Sequence, residues 1–223
     1  GGNTNMNFKF KNYWYFGTGI NFNGESLSIS DLRGGPALLL PGGINLWSSL
    51  ESDGRKRIVG ELFGSFSKNL NVQNQSLGIE FTYKPTNGLV INLSSSASFR
   101  NRVLQYVDNI ESNNQVNYVN ATLDQTVIDF ELRFNYSITP DLSIQYFGRP
   151  FFAKGQYTDF KEITDPRANS FYDRFHTYGS DEIQYDDEND RYLITEKGAN
   201  SSQYSIDNPD FNFKSIRANF VVR

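Results

Sequence analysis

From Phe8 to Phe22 the even positions read Phe8, Phe10, Asn12, Trp14, Phe16, Thr18, Ile20 and Phe22. The odd positions between them carry Lys9, Lys11, Tyr13, Tyr15, Gly17, Gly19 and Asn21. One face is almost wholly apolar and the other polar or small, the two-residue period of a β-strand with distinct sides. The same alternation sets Ile128, Phe130, Leu132, Phe134 and Tyr136 against Asp129, Glu131, Arg133 and Asn135. It also sets Leu77, Ile79, Phe81 and Tyr83 against Gly78, Glu80 and Thr82, and Ile216, Ala218, Phe220 and Val222 against Arg217 and Asn219. A weaker version runs through Ile58, Leu62 and Phe66.

The pattern predicts eight strands, at 7–22, 43–52, 56–68, 76–84, 88–106, 126–137, 141–152 and 213–223. Several reach the ~9–11 residues that cross a bilayer obliquely, beyond the ~5–6 usual in globular proteins. Alternate connections are tight turns with Gly, Pro, Asn and Asp: 53–55, 85–88 and 139–141. The others, 23–42, 69–75, 107–125 and 153–212, are mostly long and fall at the opposite end. Short turns at one rim and long loops at the other are the asymmetry of outer-membrane barrels, with the short turns periplasmic and the long loops extracellular. Tyr13, Trp14, Trp47, Tyr83, Tyr106, Tyr136 and Tyr146 lie near strand ends, where interfacial aromatic girdles form.

Composition sharpens this picture. The 223 residues include 19 Phe, 13 Tyr and 2 Trp, yet mean hydropathy is -0.54. A barrel needs an apolar outer face only, so polar and aromatic residues coexist in it. No run approaches the ~18 apolar residues of a membrane helix. The net charge of -4 lacks the clustered basic face of a nucleic-acid binder. With no cysteine, disulfides and thiolate metal sites are excluded. The expected fold is therefore all-β, an antiparallel transmembrane β-barrel of about eight strands, with 1–223 a single barrel domain or barrel fragment carrying a long extracellular loop at 153–212. The competing reading is a soluble extracellular β-sandwich binding glycan through exposed aromatics.

Candidate chemistry is sparse. Lys9, Lys11, Glu61, Glu80, Asp129, Glu131, Arg133 and Arg217 share the predicted inward face, where mixed signs suggest a salt-bridged or channel-lining wall. In the long loop, Asp186, Asp187, Glu188 and Asp190 concentrate the hard oxygen ligands that Ca²⁺ prefers, although the EF-hand glycine is missing. His176 is the single histidine, and without cysteine it would need carboxylates as metal partners. No Gly-x-Ser-x-Gly elbow occurs, so no catalytic residues are assigned and no enzyme is expected.

Family-like stretches lie mainly in the second half. NYSITPDLSIQYFGRPFF at 135–152, AKGQY at 153–157, Asp165-Pro166, and NPDFNFKSIRANFVVR at 208–223 resemble the C-terminal barrel domain of the DUF5916 family. RGGP at 33–36 and PGG at 41–43 are similar to a corner of that domain. The resemblance implies a surface-membrane protein of Bacteroidota-type bacteria, a barrel that usually follows a domain resembling a family 9 carbohydrate-binding module, and strands beyond 217–223. The chain stops at Arg223 without the terminal aromatic common in barrels, so these residues are expected to supply part of a larger one. The expectation is thus an outer-membrane pore, transporter or surface-anchoring platform. Its partners would be outer-membrane lipid and other surface proteins, with no nucleic acid and no cofactor other than Ca²⁺.

Overall fold

The computed structural model describes residues 1–112, 115–195 and 203–223. Its strands are β1 (Gly2–Lys9), β2 (Tyr15–Asn23), β3 (Ser26–Ser28), β4 (Leu38–Leu40), β5 (Gly43–Glu51), β6 (Ile58–Lys68), β7 (Val72–Thr86) and β8 (Leu89–Ser112). They continue with β9 (Gln115–Thr139), β10 (Leu142–Ile163), β11 (Phe175–Thr177), β12 (Ile183–Asp186), β13 (Arg191–Thr195), β14 (Gln203–Asp207) and β15 (Phe211–Val222). A 3-10 turn, Phe171–Arg174, precedes β11. The fold is all-β and antiparallel. Ten strands make one sheet in the order β1-β2-β5-β6-β7-β8-β9-β10, and the far edge of β10 is shared by β15 and β11. Among the described residues no pairing joins β1 to β15, so the sheet is open.

Besides the short β3 and β4 inside 23–42 and the start of β7 at Val72 rather than 76, three differences from the sequence expectation shape the fold. The segment 7–22 is not one strand but the hairpin β1–β2, closed by Phe10 N–H donating to Trp14 O and by Tyr13 at φ 67°. Alternation passes through this turn unbroken because the register pairs even with even, as in Phe8 with Phe16 and Met6 with Thr18. Opposed residues share a face, so the period gave no sign of the reversal. The meander therefore has nine strands rather than eight, the tenth being the short β11. The added turn falls at the same end as the other tight turns.

The second difference is at 107–125, expected as a loop. It is a hairpin extension in which β8, β9 and β10 run on for 24, 25 and 22 residues. Bulges at Arg102/Gln105 and Tyr106/Asp108 in β8, and at Thr158/Lys161 in β10, bend the extension around an unbroken β9. Asp159, with φ 45°, is the extra residue in β10. Third, the 153–212 connection holds the end of β10, β11 and a three-stranded sheet, β12-β13-β14.

Packing divides the molecule. The buried apolar core lies at the long-loop end, in a cap made by the strand extensions and the connections around them. One cluster joins Val119, Ala121 and Phe160 to Tyr178, Ile194 and Ile206. The other joins Leu104 and Ile163 to Leu32, Leu38 and Phe171. Val119 lies on the opposite side of β9 from Tyr118, which packs in the second cluster, so the two clusters cover opposite faces of the extension. Below the cap the sheet is a single layer.

Candidate functional site

Strand register assembles the polar residues into rows. Lys9 pairs with Tyr15, Tyr15 with Glu51, Glu51 with Glu61 and Glu61 with Glu80. Glu80 pairs with Ser94, and Ser94 with Glu131. At the far edge Arg149 pairs with Arg217. Three glutamates thus stand side by side on β5, β6 and β7, with cations toward both edges of the sheet. Directly opposed side chains have Cβ atoms about 4.5–5.5 Å apart, where like charges repel. Asp129 and Arg133 flank this row on the same face. Glu131 accepts from Arg133 Nε at 2.5 Å, and Asp129 accepts from Arg149 Nε at 2.8 Å.

Of the residues expected on this face, Lys9, Glu61, Glu80, Asp129, Glu131, Arg133 and Arg217 are there. Lys11 is not: it lies in the exposed turn between β1 and β2. Glu51 and Arg149 were missed. Glu51 falls on the polar parity of β5 and could have been read from the period, whereas Arg149 shares its face with Phe147 and Phe151, which mask the polar character of that face. Trp47 also belongs to the polar face, not to an outward girdle. Its indole lies over Gly17 and Gly19, where a Cβ would come within 3.2 and 2.5 Å of the ring, so the flat glycine track is what admits it. Tyr106 is in the cap, beneath the Arg33 guanidinium.

The opposite face is apolar from the short turns up to Phe99 and Phe152, above which Gln73, Asn101, Asp124, Lys154 and Gln156 follow on the same face toward the cap. One row runs Phe16, Leu50, Leu62 and Ile79 through β2, β5, β6 and β7. Another runs Phe81, Leu93, Leu132, Gly148 and Ala218 through β7 to β10 and β15. These side chains are open: Phe130 is 41% exposed, Leu77 57% and Ile216 79%. Among the described residues no second layer covers them. Tyr83, Tyr136 and Tyr146 stand on this face toward the short turns. There, Arg55 ties two turns together, its guanidinium 3.3 Å from the Tyr13 ring centre while Nη2 donates to Asp53 at 2.8 Å. That hydrogen bond holds the Asp53 carboxyl down to about 2.

In the cap, Arg174 is fully buried. Its Nε donates to Ala168 O at 2.9 Å and its Nη1 to Leu39 O at 2.8 Å, while Nη2 reaches Asn169 O and Glu25 Oε1, each at 3.3 Å. It clasps the 24–42 connection to the 164–174 segment. Lys161, 4% exposed, donates to Thr122 Oγ1 at 2.6 Å and to Asp159 O. Burial lowers its amine to about 8, against a small opposing pull from Asp159. His176 Nε2 lies 3.0 Å from Glu182 Oε2, which also accepts from Gly179 N–H at 2.8 Å.

The acidic run forms the β12–β13 turn. Asp186 accepts from Asn189 Nδ2 at 2.8 Å and Arg191 Nε at 3.0 Å, and both donors hold its carboxyl below the usual range. Asp190 accepts from Tyr185 Oη at 2.6 Å and Asn208 Nδ2 at 2.9 Å, with the same direction of shift. Asp187 and Glu188 are exposed at the tip. Among the described residues no three His, Cys, Asp or Glu converge as a metal site.

A family model for a domain of unknown function, DUF5916, matches residues 1–192. The chain belongs to the DUF5916 family. The match takes in the main sheet from β1 to β10 and the cap as far as β13. No curated protein and no solved structure matches.

Proposed function

We propose that this DUF5916 domain is the wall of a bacterial outer-membrane β-barrel, with its apolar face toward lipid, its polar face toward the lumen and its cap outside the cell. The observation that carries the reading is the uncovered apolar face. A soluble sandwich buries such a face against a second sheet, whereas a bilayer accepts it as it stands. The strands β2, β5–β10 and β15, at 9 to 25 residues, are long enough to span. The nine strands of the meander bring β1 and β15 to its edges running in the same direction, so an antiparallel barrel built on them takes an odd number of further strands.

On this reading the charged row is a lumen wall, and the domain acts as a pore, a transporter or an anchoring platform whose cap meets ligands or other surface proteins. Two measurements test it in order. Carbonate extraction of membranes carrying the protein should leave it in the pellet; a monodisperse protein in plain buffer contradicts the membrane reading. Planar-bilayer recording then separates a conducting pore from a silent platform.

A further inference from the structure

Two hollows on the apolar face merge into one groove whose chemistry changes along its length. The lower one, about 560 Å³, is an apolar trough over β5–β7, floored by Ser48 and Gly64 and walled by Leu46, Phe66, Leu77 and Phe99. The upper one, about 310 Å³, spans β7–β10 toward the cap and is lined by Gln73, Asn101, Asp124, Lys154 and Gln156. Gln75 and Phe99 belong to both and form the junction. The trough exists because small residues interrupt a field of large ones. Ser48 pairs with Gly64, and the Ser48 hydroxyl is paired with the Thr18 hydroxyl at 2.9 Å, leaving no polar group facing up from the floor without a partner.

The upper hollow has the opposite character. The Asp124 carboxylate is engaged by Asn101 Nδ2 at 2.7 Å. Among the described residues the Lys154 ammonium has no hydrogen-bond or ion-pair partner, so an unpaired cation stands among amides and one carboxylate that Asn101 already engages. An occupant matching both halves has a hydrocarbon tail and an anionic, hydrogen-bonding head, arranged with the head toward the cap.

We propose that this groove holds one anionic, phosphate-bearing membrane lipid, for which phosphatidylglycerol serves as the probe, its acyl chain along the Ser48–Gly64 trough and its phosphate at Lys154. The proposal rests on the membrane reading above and adds a defined site with headgroup preference to a face that would otherwise meet lipid uniformly. Gly64→Phe fills the trough. A Cβ at Gly64 meets only Ser76 O at 3.9 Å, so the backbone tolerates the change. Ala218→Phe adds the same bulk elsewhere on this face and serves as the control.

The test is native mass spectrometry of the protein in micelles doped with phosphatidylglycerol or phosphatidylcholine of identical chains. The native protein and Ala218→Phe should each retain one phosphatidylglycerol, favoured about fivefold over phosphatidylcholine, the scale of one lysine near an anionic surface. Gly64→Phe should lose the retained lipid, and Lys154→Gln should bind both lipids equally. Equal retention of both lipids by the native protein, or retention by Gly64→Phe at the native level, overturns the site. Lys154→Gln decides the head position even if Gly64→Phe fails to fold. A protein that is soluble without detergent defeats the membrane reading itself, a result that carbonate extraction reports separately from lipid retention.

Discussion

The wall and the cap use aromatic and aliphatic residues in opposite ways. In the cap, Phe160, Ile194 and Ile206 close on one another and leave almost no exposed area. In the wall, Phe130, Leu132 and Phe220 stand on one face, and among the described residues no layer covers them. The cap thus carries its own hydrophobic driving force. The wall is held by strand hydrogen bonds and cross-strand pairs, and its apolar area contributes only if something outside the chain takes it from water. One chain therefore contains a conventional folded core and an apolar surface that no described part of the chain covers.

Truncation breaks that comparison most sharply. Phe160→Ala should cost about 3–5 kcal/mol of cap stability, as large buried aromatics do. Leu132→Ala in detergent should cost well under ~2 kcal/mol, because the side chain leaves no cavity inside the protein. Thermal unfolding followed by near-ultraviolet dichroism reads both, and equal costs would mean that the wall has a covering layer.

Arg174→Met should be nearly as damaging, at about 3 kcal/mol, because several buried carbonyls lose their donor at once. Limited proteolysis should then cut near 164–178 while β5–β9 stay protected. A variant cleaved no faster than the native chain would show that the clasp is unimportant.

A smaller effect follows from Lys161. Its amine sits at about 8 when folded against an ordinary 10.5, so the unfolded chain holds the extra proton between those values. Stability of the cap should therefore rise with pH from about 8 toward 10. Below about 8 the cost of burying the charged amine is fully present. The rise should vanish in Lys161→Met, and a native melting midpoint that stays flat or falls over that range contradicts the assignment.

The smallest effect concerns the glutamate row. Glu61→Gln removes the central charge of Glu51, Glu61 and Glu80, and should stabilise the wall by about 0.2–1 kcal/mol. A loss of stability would mean that a bound cation or further cation partners already offset the repulsion.

Much of the wall was legible because a period of two is independent of what lies beyond each face. It placed Glu61, Glu80, Asp129, Glu131, Arg133 and Arg217 together without any knowledge of strand partners. It could not reveal the hairpin at 10–14, since a register pairing even with even leaves the period intact. That is also why Lys11 was assigned to a face when it sits in a turn. The cap was obscured for the opposite reason. Its core residues are scattered through β9, β10, β13 and β14 among Asp, Asn and Tyr, and several of its strands have only three to five residues. Polar composition reads as loop until long-range packing is known.

The most direct test of the uncovered face uses the absence of native cysteine. Single cysteines at 128, 129, 130, 131, 132, 133 and 134 on β9 can be placed one at a time in the protein reconstituted into lipid vesicles. Each is scored for labelling by a water-soluble maleimide and, with an attached fluorophore, for quenching by spin-labelled acyl chains. The account predicts strict alternation: 128, 130, 132 and 134 quenched by lipid and shielded from the maleimide, with 129, 131 and 133 the reverse. Uniform labelling along β9, or shielding of the even positions without quenching by acyl chains, would contradict it.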